Sequence, residues 1–173
     1  MLLPEPSALL RRLRREPLFG ELPRRLDWGR DALVRLLPHR PPLLLVDHLV
    51  ATDEAGGRAR GDRWLDPADP IFAGHFPEEP IYPGALLLEA AGQLGLCLGD
   101  PLARGTLPER PASVRLIRVH GAEFVGAARP GDTLTLLAEL LEDDGWTVRI
   151  AGQVLRSNEI LCAVMLEAMR GET

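Results

Sequence analysis

Residues 83–99, PGALLLEAAGQLGLCLG, constrain the fold more than any other segment of the chain. Leucine and alanine recur there at steps of three and four residues with no internal proline, a period that predicts a helix. Because apolar or small residues cover nearly the whole circumference, this helix must be buried. Pro83 begins it, and the run Gly99, Asp100 and Pro101 ends it. A single carboxylate, Glu89, interrupts the apolar surface.

The carboxyl-terminal third of the chain reads as four strands. The segments are VRLIRVHGAEFVG, DTLTLLAELLED, WTVRIAGQVLR and EILCAVMLEAM, joined by the short turn sequences RPGD, DDG and SN. Four successive strands beside one buried helix predict an α+β fold in which an antiparallel sheet wraps around a long central helix. Upstream, residues 43–50 and the segment RARGDRW at 58–64 suggest two further strands, the second of them exposed.

Two shorter helices are predicted near the amino terminus. Residues 28–37 form one that ends at Pro38, and residues 6–16 form an arginine-rich amphipathic one. The second is either a solvated helix packed on the body or on a partner, or a site for a membrane surface or an acidic partner. At 173 residues and 46% hydrophobic content the chain suits one core. We divide it into a helical extension at 1–30 and a main domain at 31–173.

Composition excludes several classes of function. A net charge of -5 argues against general nucleic-acid binding, and the absence of lysine excludes Schiff-base chemistry. The apolar runs are shorter than the roughly 20 residues that span a bilayer, and the amino terminus does not resemble a signal peptide, so we expect a cytoplasmic protein with no membrane span. Cys97 and Cys162 lack metal-ligand spacing. We expect buried thiols, with neither a disulfide nor a metal site.

Three residues around the start of the central helix suggest acid–base chemistry. His75 lies on the proline-rich loop before the helix, and Gly84 follows Pro83 where backbone amides lack intrahelical partners. Glu89 lies five residues further on, and an apolar helix favours the neutral form of a carboxyl group. A histidine base, a carboxylic acid and an amide that stabilises an oxyanion fit proton abstraction next to a thioester with loss of a β-hydroxyl.

The other three histidines look structural. His39 lies in the proline-rich PHRPP, His48 follows an aspartate at what looks like a strand end, and His120 stands beside a glycine in a predicted strand. We find no nucleophile elbow of the G-x-S-x-G type and no cysteine placed as a nucleophile.

The segments LLPHRPPLLLVDHL and FAGHFPEEPIYPGALLLEAAGQL resemble the 3-hydroxyacyl-acyl-carrier-protein dehydratases of bacterial fatty acid synthesis, hotdog-fold enzymes of the FabZ and FabA type. The resemblance runs from about residue 36 to 170 and is strongest in GHFP, PxxPG and the L-E-A-x-x-Q helix. It implies that His75 and Glu89 are catalytic and that Gly84, next to Pro83, binds the thioester oxygen. Gln93 would help to orient the acid.

The same resemblance implies the partners. The family builds its active site across a homodimer, with the histidine from one subunit and the acid from the other, around a tunnel for the acyl chain. Higher assembly stays open. The substrate is carried by an acyl carrier protein whose phosphopantetheine arm belongs to the substrate, so no cofactor is expected. The residues that would line the tunnel are Phe76, Leu86, Leu87 and Leu94.

This chain departs from the family pattern at two places. Glu78 and Glu79 add negative charge after His75, and Val125 and Gly126 replace basic residues near the tunnel mouth, so docking of the carrier protein is expected to differ. Two alternatives stay open at this point: a hotdog acyl thioesterase, in which the acid activates water, and a non-catalytic acyl-binding subunit.

Overall fold

Seven antiparallel strands form one sheet that curls around a single long helix, in a computed structural model that describes residues 5–111 and 113–171. The order of strands across the sheet is β1-β2-β3-β5-β6-β7-β4. The strands are β1 (Arg24–Trp28), β2 (His48–Thr52), β3 (Arg58–Trp64), β4 (Val114–Phe124), β5 (Thr133–Asp143), β6 (Thr147–Arg156) and β7 (Glu159–Arg170). The helices are α1 (Pro6–Leu13), α2 (Arg30–Leu36), α3 (Ile71–Gly74), α4 (Gly84–Leu96) and α5 (Asp100–Arg104).

Helix α4 fills the concave face of the sheet. Leu87, Ala91 and Leu94 are at most 2% exposed and belong to the main core. Glycine allows the helix to approach the strands closely, because a Cβ atom at Gly152 of β6 would lie 3.0 Å from the Cβ of Ala91. The predicted buried helix is confirmed, and so are helix α2 and the strands β3 to β7. In the described part of the chain no helix combines the length and apolarity needed to cross a bilayer.

The strand expected at residues 43–50 begins later than predicted. Strand β2 starts at His48, and the backbone at Leu43 and Leu45 bonds to a side chain of α4. The Leu45 N–H donates to Gln93 Oε1 over 2.8 Å, and Gln93 Nε2 donates to the Leu43 carbonyl over 2.7 Å. The first half of the apolar segment is therefore a loop that packs on the central helix, and only its end is a strand.

The amino-terminal region covers the convex face of the sheet. Leu9, Leu10 and Leu13 of α1 are buried in a second apolar cluster, so this helix packs on the body. Strand β1 also lies within residues 1–30, where only helix was expected, and it pairs with β2 at one edge of the sheet. The division at residue 30 stays a prediction. The strand residues that complete the cluster are Leu137, Ala151, Leu155, Ala163 and Met165.

Gln153 of β6 fastens this amino-terminal region to the sheet. Its side chain is fully buried, its Oε1 accepts a hydrogen bond of 2.6 Å from Leu18 N–H, and its Nε2 donates to the carbonyls of Leu13 and Glu16. These three bonds satisfy backbone groups just beyond the end of α1, where a helix leaves carbonyls without partners. One buried amide thus replaces the hydrogen bonds that the chain loses as the helix ends.

We expect Gln153→Ala to lower the free energy of unfolding by about 1–3 kcal/mol, because it leaves buried backbone groups without partners. Urea unfolding followed by circular dichroism measures the change. Glu21→Ala is the matched control, since Glu21 is exposed in the same region. Equal stability of the two variants would contradict a fastening role for Gln153.

Candidate active site

His75 lies on the loop between α3 and α4 with one ring nitrogen already engaged. Its Nδ1 is 3.0 Å from the carbonyl oxygen of Ile81. A carbonyl oxygen only accepts hydrogen bonds, so Nδ1 carries the proton in this contact. The half-buried imidazole therefore presents Nε2 with a free lone pair, the form in which a histidine acts as a base.

Phe76 forces a sharp turn directly after His75. Its φ is 58°, in the left-handed region that a residue with a bulky side chain rarely adopts. Its ring lies 4.1 Å from that of His75, centroid to centroid, and its side chain is 57% exposed. Strained backbone of this kind concentrates at functional sites, and here the turn places the Phe76 ring against the imidazole.

Gly84 is the first residue of α4, with Pro83 as its N-cap. A Cβ atom at this position would lie 3.0 Å from two ring carbons of Phe124, so a larger residue would push that ring away. The Gly84 N–H belongs to the first helical turn and has no intrahelical carbonyl to bond. It is a donor at the positive end of the helix dipole, where a developing oxyanion is stabilised.

Glu89 projects from the second turn of α4 and is held at one oxygen. Gln93 Nε2 donates to Glu89 Oε1 over 2.8 Å, and His39 Nε2 lies 3.3 Å from the same oxygen. The Glu89 side chain is 38% exposed, so the carboxyl group is only partly covered by these two neighbours. Gln93 itself is 1% exposed. Its side-chain amide forms hydrogen bonds with Glu89 and with the backbone of the loop at residues 43–45.

An apolar cavity of about 100 Å³ opens beside Glu89, between the last turns of α4 and strands β4, β6 and β7. His39, Glu89 and Gln93 form its polar end. Neither His75 nor Gly84 lines it, so one chain does not bring the candidate base into the cavity that holds the candidate acid. The apolar lining includes Leu88, Leu96, Leu116, Val148, Ile150 and Leu166.

The residues proposed to line an acyl tunnel lie elsewhere in this chain. Leu87 and Leu94 are in the main core, Leu86 is half-buried against it, and Phe76 is exposed on the loop after His75. None of the four contributes to the cavity beside Glu89. Their role in the tunnel stays a prediction.

A buried ion pair supports the loop that leads into α4. Arg63 donates to Asp47 over 3.0 Å. Burial opposes ionisation of Asp47, yet hydrogen bonds from Trp64 N–H and Arg30, together with the charges of Arg63 and Arg30, lower the pKa of its carboxyl group. Burial raises the pKa of Tyr82, which contacts Arg63 and directly precedes Pro83. This network fixes the position of the helix start.

The other histidines fall into two groups. His48 bonds Asp62 at 2.9 Å, and His120 bonds Glu167 at 2.6 Å, which fits the structural roles expected for both. His39 instead lies at the polar end of the cavity beside Glu89, so its structural role stays a prediction. No local pattern could reveal this contact, since the two residues are far apart in the sequence and only the loop packed on α4 brings them together. Within the described ranges, no three His, Cys, Asp or Glu side chains are grouped as a metal site.

Both cysteines are free and buried, as the sequence predicts. Burial raises the pKa of the Cys97 and Cys162 thiols from 9.0 to about 12, so neither is a ready nucleophile near neutral pH.

The raised thiol pKa values predict a loss of stability in alkaline solution. As the pH rises past about 9 the unfolded chain loses its thiol protons while the folded chain keeps them, so the free energy of unfolding decreases up to about pH 12. Urea unfolding at pH 8 and pH 10 measures this decrease. The double variant Cys97→Ala, Cys162→Ala should show a smaller decrease, and an unchanged pH dependence in that variant would contradict the assignment.

Comparison with known proteins gives a consistent result. The model of the FabA-like domain family matches residues 37–168. A protein of Syntrophomonas wolfei named 3-hydroxyacyl-acyl-carrier-protein dehydratase FabZ is 34% identical over 141 residues, which are 80% of this chain and 93% of the relative. A protein of the same name from Chloroflexus aggregans is 43% identical over 109 residues, 62% of this chain and 72% of the relative.

The fold also matches solved structures. A chain of the dehydratase heterocomplex ApeI:P from Xenorhabdus doucetiae aligns with a TM-score of 0.67 at 16% identity, over 87% of this chain and 94% of the other. At that identity the likeness shows the fold alone. Together with the family match, it confirms the hotdog fold that the sequence resemblance implies.

Proposed function

The chain belongs to the FabA-like domain family, and from this membership we propose that it dehydrates a 3-hydroxyacyl thioester, carried by an acyl carrier protein, to the trans-2-enoyl thioester in fatty acid or related lipid biosynthesis. The names of the relatives support this activity. The observation that carries the proposal is that His75 and Glu89 are each anchored through one heteroatom, while no described residue forms a hydrogen bond with the other heteroatom.

In the proposed mechanism His75 Nε2 removes a proton from C2 of the substrate. The electron pair forms the double bond between C2 and C3 as the bond from C3 to the hydroxyl oxygen breaks. Glu89 gives its proton to that oxygen, which leaves as water. The Gly84 N–H donates to the thioester carbonyl oxygen as negative charge develops there. Return of the proton from His75 to Glu89 completes the cycle, and since all electrons stay within the substrate, no redox cofactor takes part.

We propose that the active site is completed by a second copy of the chain. His75 of the same chain does not line the cavity beside Glu89, and the edge strand β4 leaves Leu116, Val119 and Phe124 about half exposed, with Leu116 at the cavity itself. An edge strand with exposed apolar residues favours pairing with another chain. A symmetric pair would bring His75 of one subunit to Glu89 of the other. A substrate on the carrier protein of fatty acid synthesis fits a cytoplasmic location.

The acyl chain is assigned to the apolar cavity, and the phosphopantetheine arm enters with the substrate. The hydroxyl group at C3 must reach Glu89, which stands at the polar end of this cavity, so the rest of the acyl chain extends along Leu96 and Ile150. Gly92 leaves room at this point, because a Cβ atom there would lie 3.1 Å from the Leu166 side chain. Of the tunnel residues predicted from the sequence, only the exposed Phe76 would then act at the approach from the partner subunit, since Leu87 and Leu94 are buried in the core.

The first test compares the wild type with His75→Ala and Glu89→Gln on a short 3-hydroxyacyl carrier-protein thioester, with products identified by mass spectrometry. We expect loss of water with the wild type and a decrease of about 10²- to 10⁴-fold in both variants, the range for a lost general acid or base. His48→Gln, at an exposed histidine outside the site, is the matched control. A free acid as product would instead indicate a thioesterase, and unchanged substrate would favour an acyl-binding subunit.

A mixing experiment tests the shared active site. Each of the two inactive variants lacks one group, so a mixed dimer of His75→Ala and Glu89→Gln subunits has one intact site and one doubly defective site. After unfolding and refolding together, the mixture should recover about a quarter of wild-type activity, since half of the symmetric pairs would be mixed. No recovery in a refolded mixture, under conditions that restore the wild type, would place both groups in one chain.

Substitution of Leu96 tests the acyl cavity. We expect Leu96→Trp to lower kcat/KM for a ten-carbon substrate by about 10-fold or more, because overpacking excludes the distal carbons, with little change for a four-carbon substrate. Competing substrates in one reaction, resolved by mass spectrometry, give the ratio directly. Met169→Trp, at an exposed position, is the control. An equal loss for both chain lengths would contradict the assignment.

A further inference from the structure

Two nitrogen atoms converge on one oxygen of Glu89. Gln93 Nε2 is 2.8 Å and His39 Nε2 is 3.3 Å from Oε1, while the Glu89 side chain stays partly exposed to the cavity. If both nitrogens donate, Oε1 is an acceptor only, and the transferable proton must be on Oε2. We propose that His39 is a positioning residue that, with Gln93, holds Oε1 and thereby presents Oε2 to the leaving hydroxyl. This inference rests on the proposed dehydration.

The chain holds His39 in place from both sides. Upstream, Leu37 is fully buried at the end of α2. The Arg40 guanidinium donates to the carbonyls of Leu37 and His39 over 2.9 and 2.7 Å. Downstream, Gln93 bonds the backbone at Leu43 and Leu45. The loop that carries His39 is therefore tied to α4 by the same glutamine that bonds Glu89, so the position of His39 beside the acid depends on the whole loop at residues 37–45.

The protonation of His39 follows from its second nitrogen. Nδ1 is buried and has no hydrogen-bond partner in the described part of the chain. A buried N–H without a partner is rarer than a buried acceptor without one, so the proton of the neutral ring belongs on Nε2. Nε2 lies 3.3 Å from Glu89 Oε1, so this tautomer of the neutral ring carries its N–H on the atom nearest the carboxyl group, where it can donate to Oε1 once the ring turns toward it.

Such a donor favours the transition state over the ground state. As Glu89 gives up its proton its carboxyl group becomes an anion, and hydrogen bonds to an ionised acceptor are roughly twice as strong as those between neutral groups. The contact with His39 therefore strengthens during proton transfer. An interaction of this kind contributes to kcat and leaves substrate binding nearly unchanged.

The experiment compares three substitutions of His39 by steady-state kinetics on the short 3-hydroxyacyl carrier-protein thioester. His39→Leu removes the donor, and kcat should fall about 10- to 100-fold with KM within about twofold. His39→Gln keeps an N–H near the position of Nε2, so kcat should stay within about threefold of the wild type. His48→Leu is the matched control and should behave as the wild type.

Combination with Glu89→Gln separates positioning from packing. If His39 acts only through the acid, His39→Leu should cause no further loss in the Glu89→Gln background. The same fold loss in both backgrounds, or an unchanged kcat in His39→Leu, would overturn the inference. Should His39→Leu fail to fold in a thermal melt, His39→Asn replaces it, because its amide nitrogen lies near Nδ1 and cannot reach Glu89. A wild type without dehydration would instead refute the proposed function.

Discussion

The buried amide of Gln93 joins the architecture of this protein to its chemistry. Its oxygen bonds the backbone N–H of Leu45, and its nitrogen bonds both the Leu43 carbonyl and Glu89. A buried amide must satisfy all of these groups, since each one left unpaired costs about 1–3 kcal/mol. The loop at residues 43–45 is consequently tied to α4 and cannot also pair as a strand, which is why β2 begins only at His48.

A second buried glutamine has the same task on the other face of the sheet. Gln153 bonds the backbone beyond α1, so the convex face is closed by a segment of the same chain. The concave face is closed by α4, but the edge strand β4 keeps apolar residues exposed beside the cavity that holds Glu89. The chain thus covers the convex face with its own amino-terminal region. On the concave face the edge at β4 stays uncovered, at the place where the proposed reaction needs a second subunit.

Local patterns in the sequence predict the helices and strands whose apolar residues recur at a regular period. They do not predict strands or contacts that depend on residues distant in the sequence. The period of α4 and the alternation in β5 to β7 are visible within single segments, and the GHFP loop and Glu89 stand out by composition. Strand β1, with the sequence RRLDW, is recognisable only through its pairing with β2. The prolines beside His39 in the sequence predict a structural role, whereas in the fold His39 lies next to Glu89 at the end of the cavity.

In the proposed mechanism both reactive groups are anchored through the atom that does not exchange a proton with the substrate. His75 bonds the Ile81 carbonyl through Nδ1, and Glu89 accepts from Gln93 at Oε1, while the described residues offer no hydrogen bond to His75 Nε2 or Glu89 Oε2. Gly84 and Glu89 belong to one rigid helix with a rise of about 1.5 Å per residue, so the oxyanion donor and the acid keep a fixed separation. The proposed base does not line the cavity that holds the proposed acid in one chain. In the proposed shared site, assembly of two chains would therefore determine whether the site is active, because assembly is the step that brings these groups together.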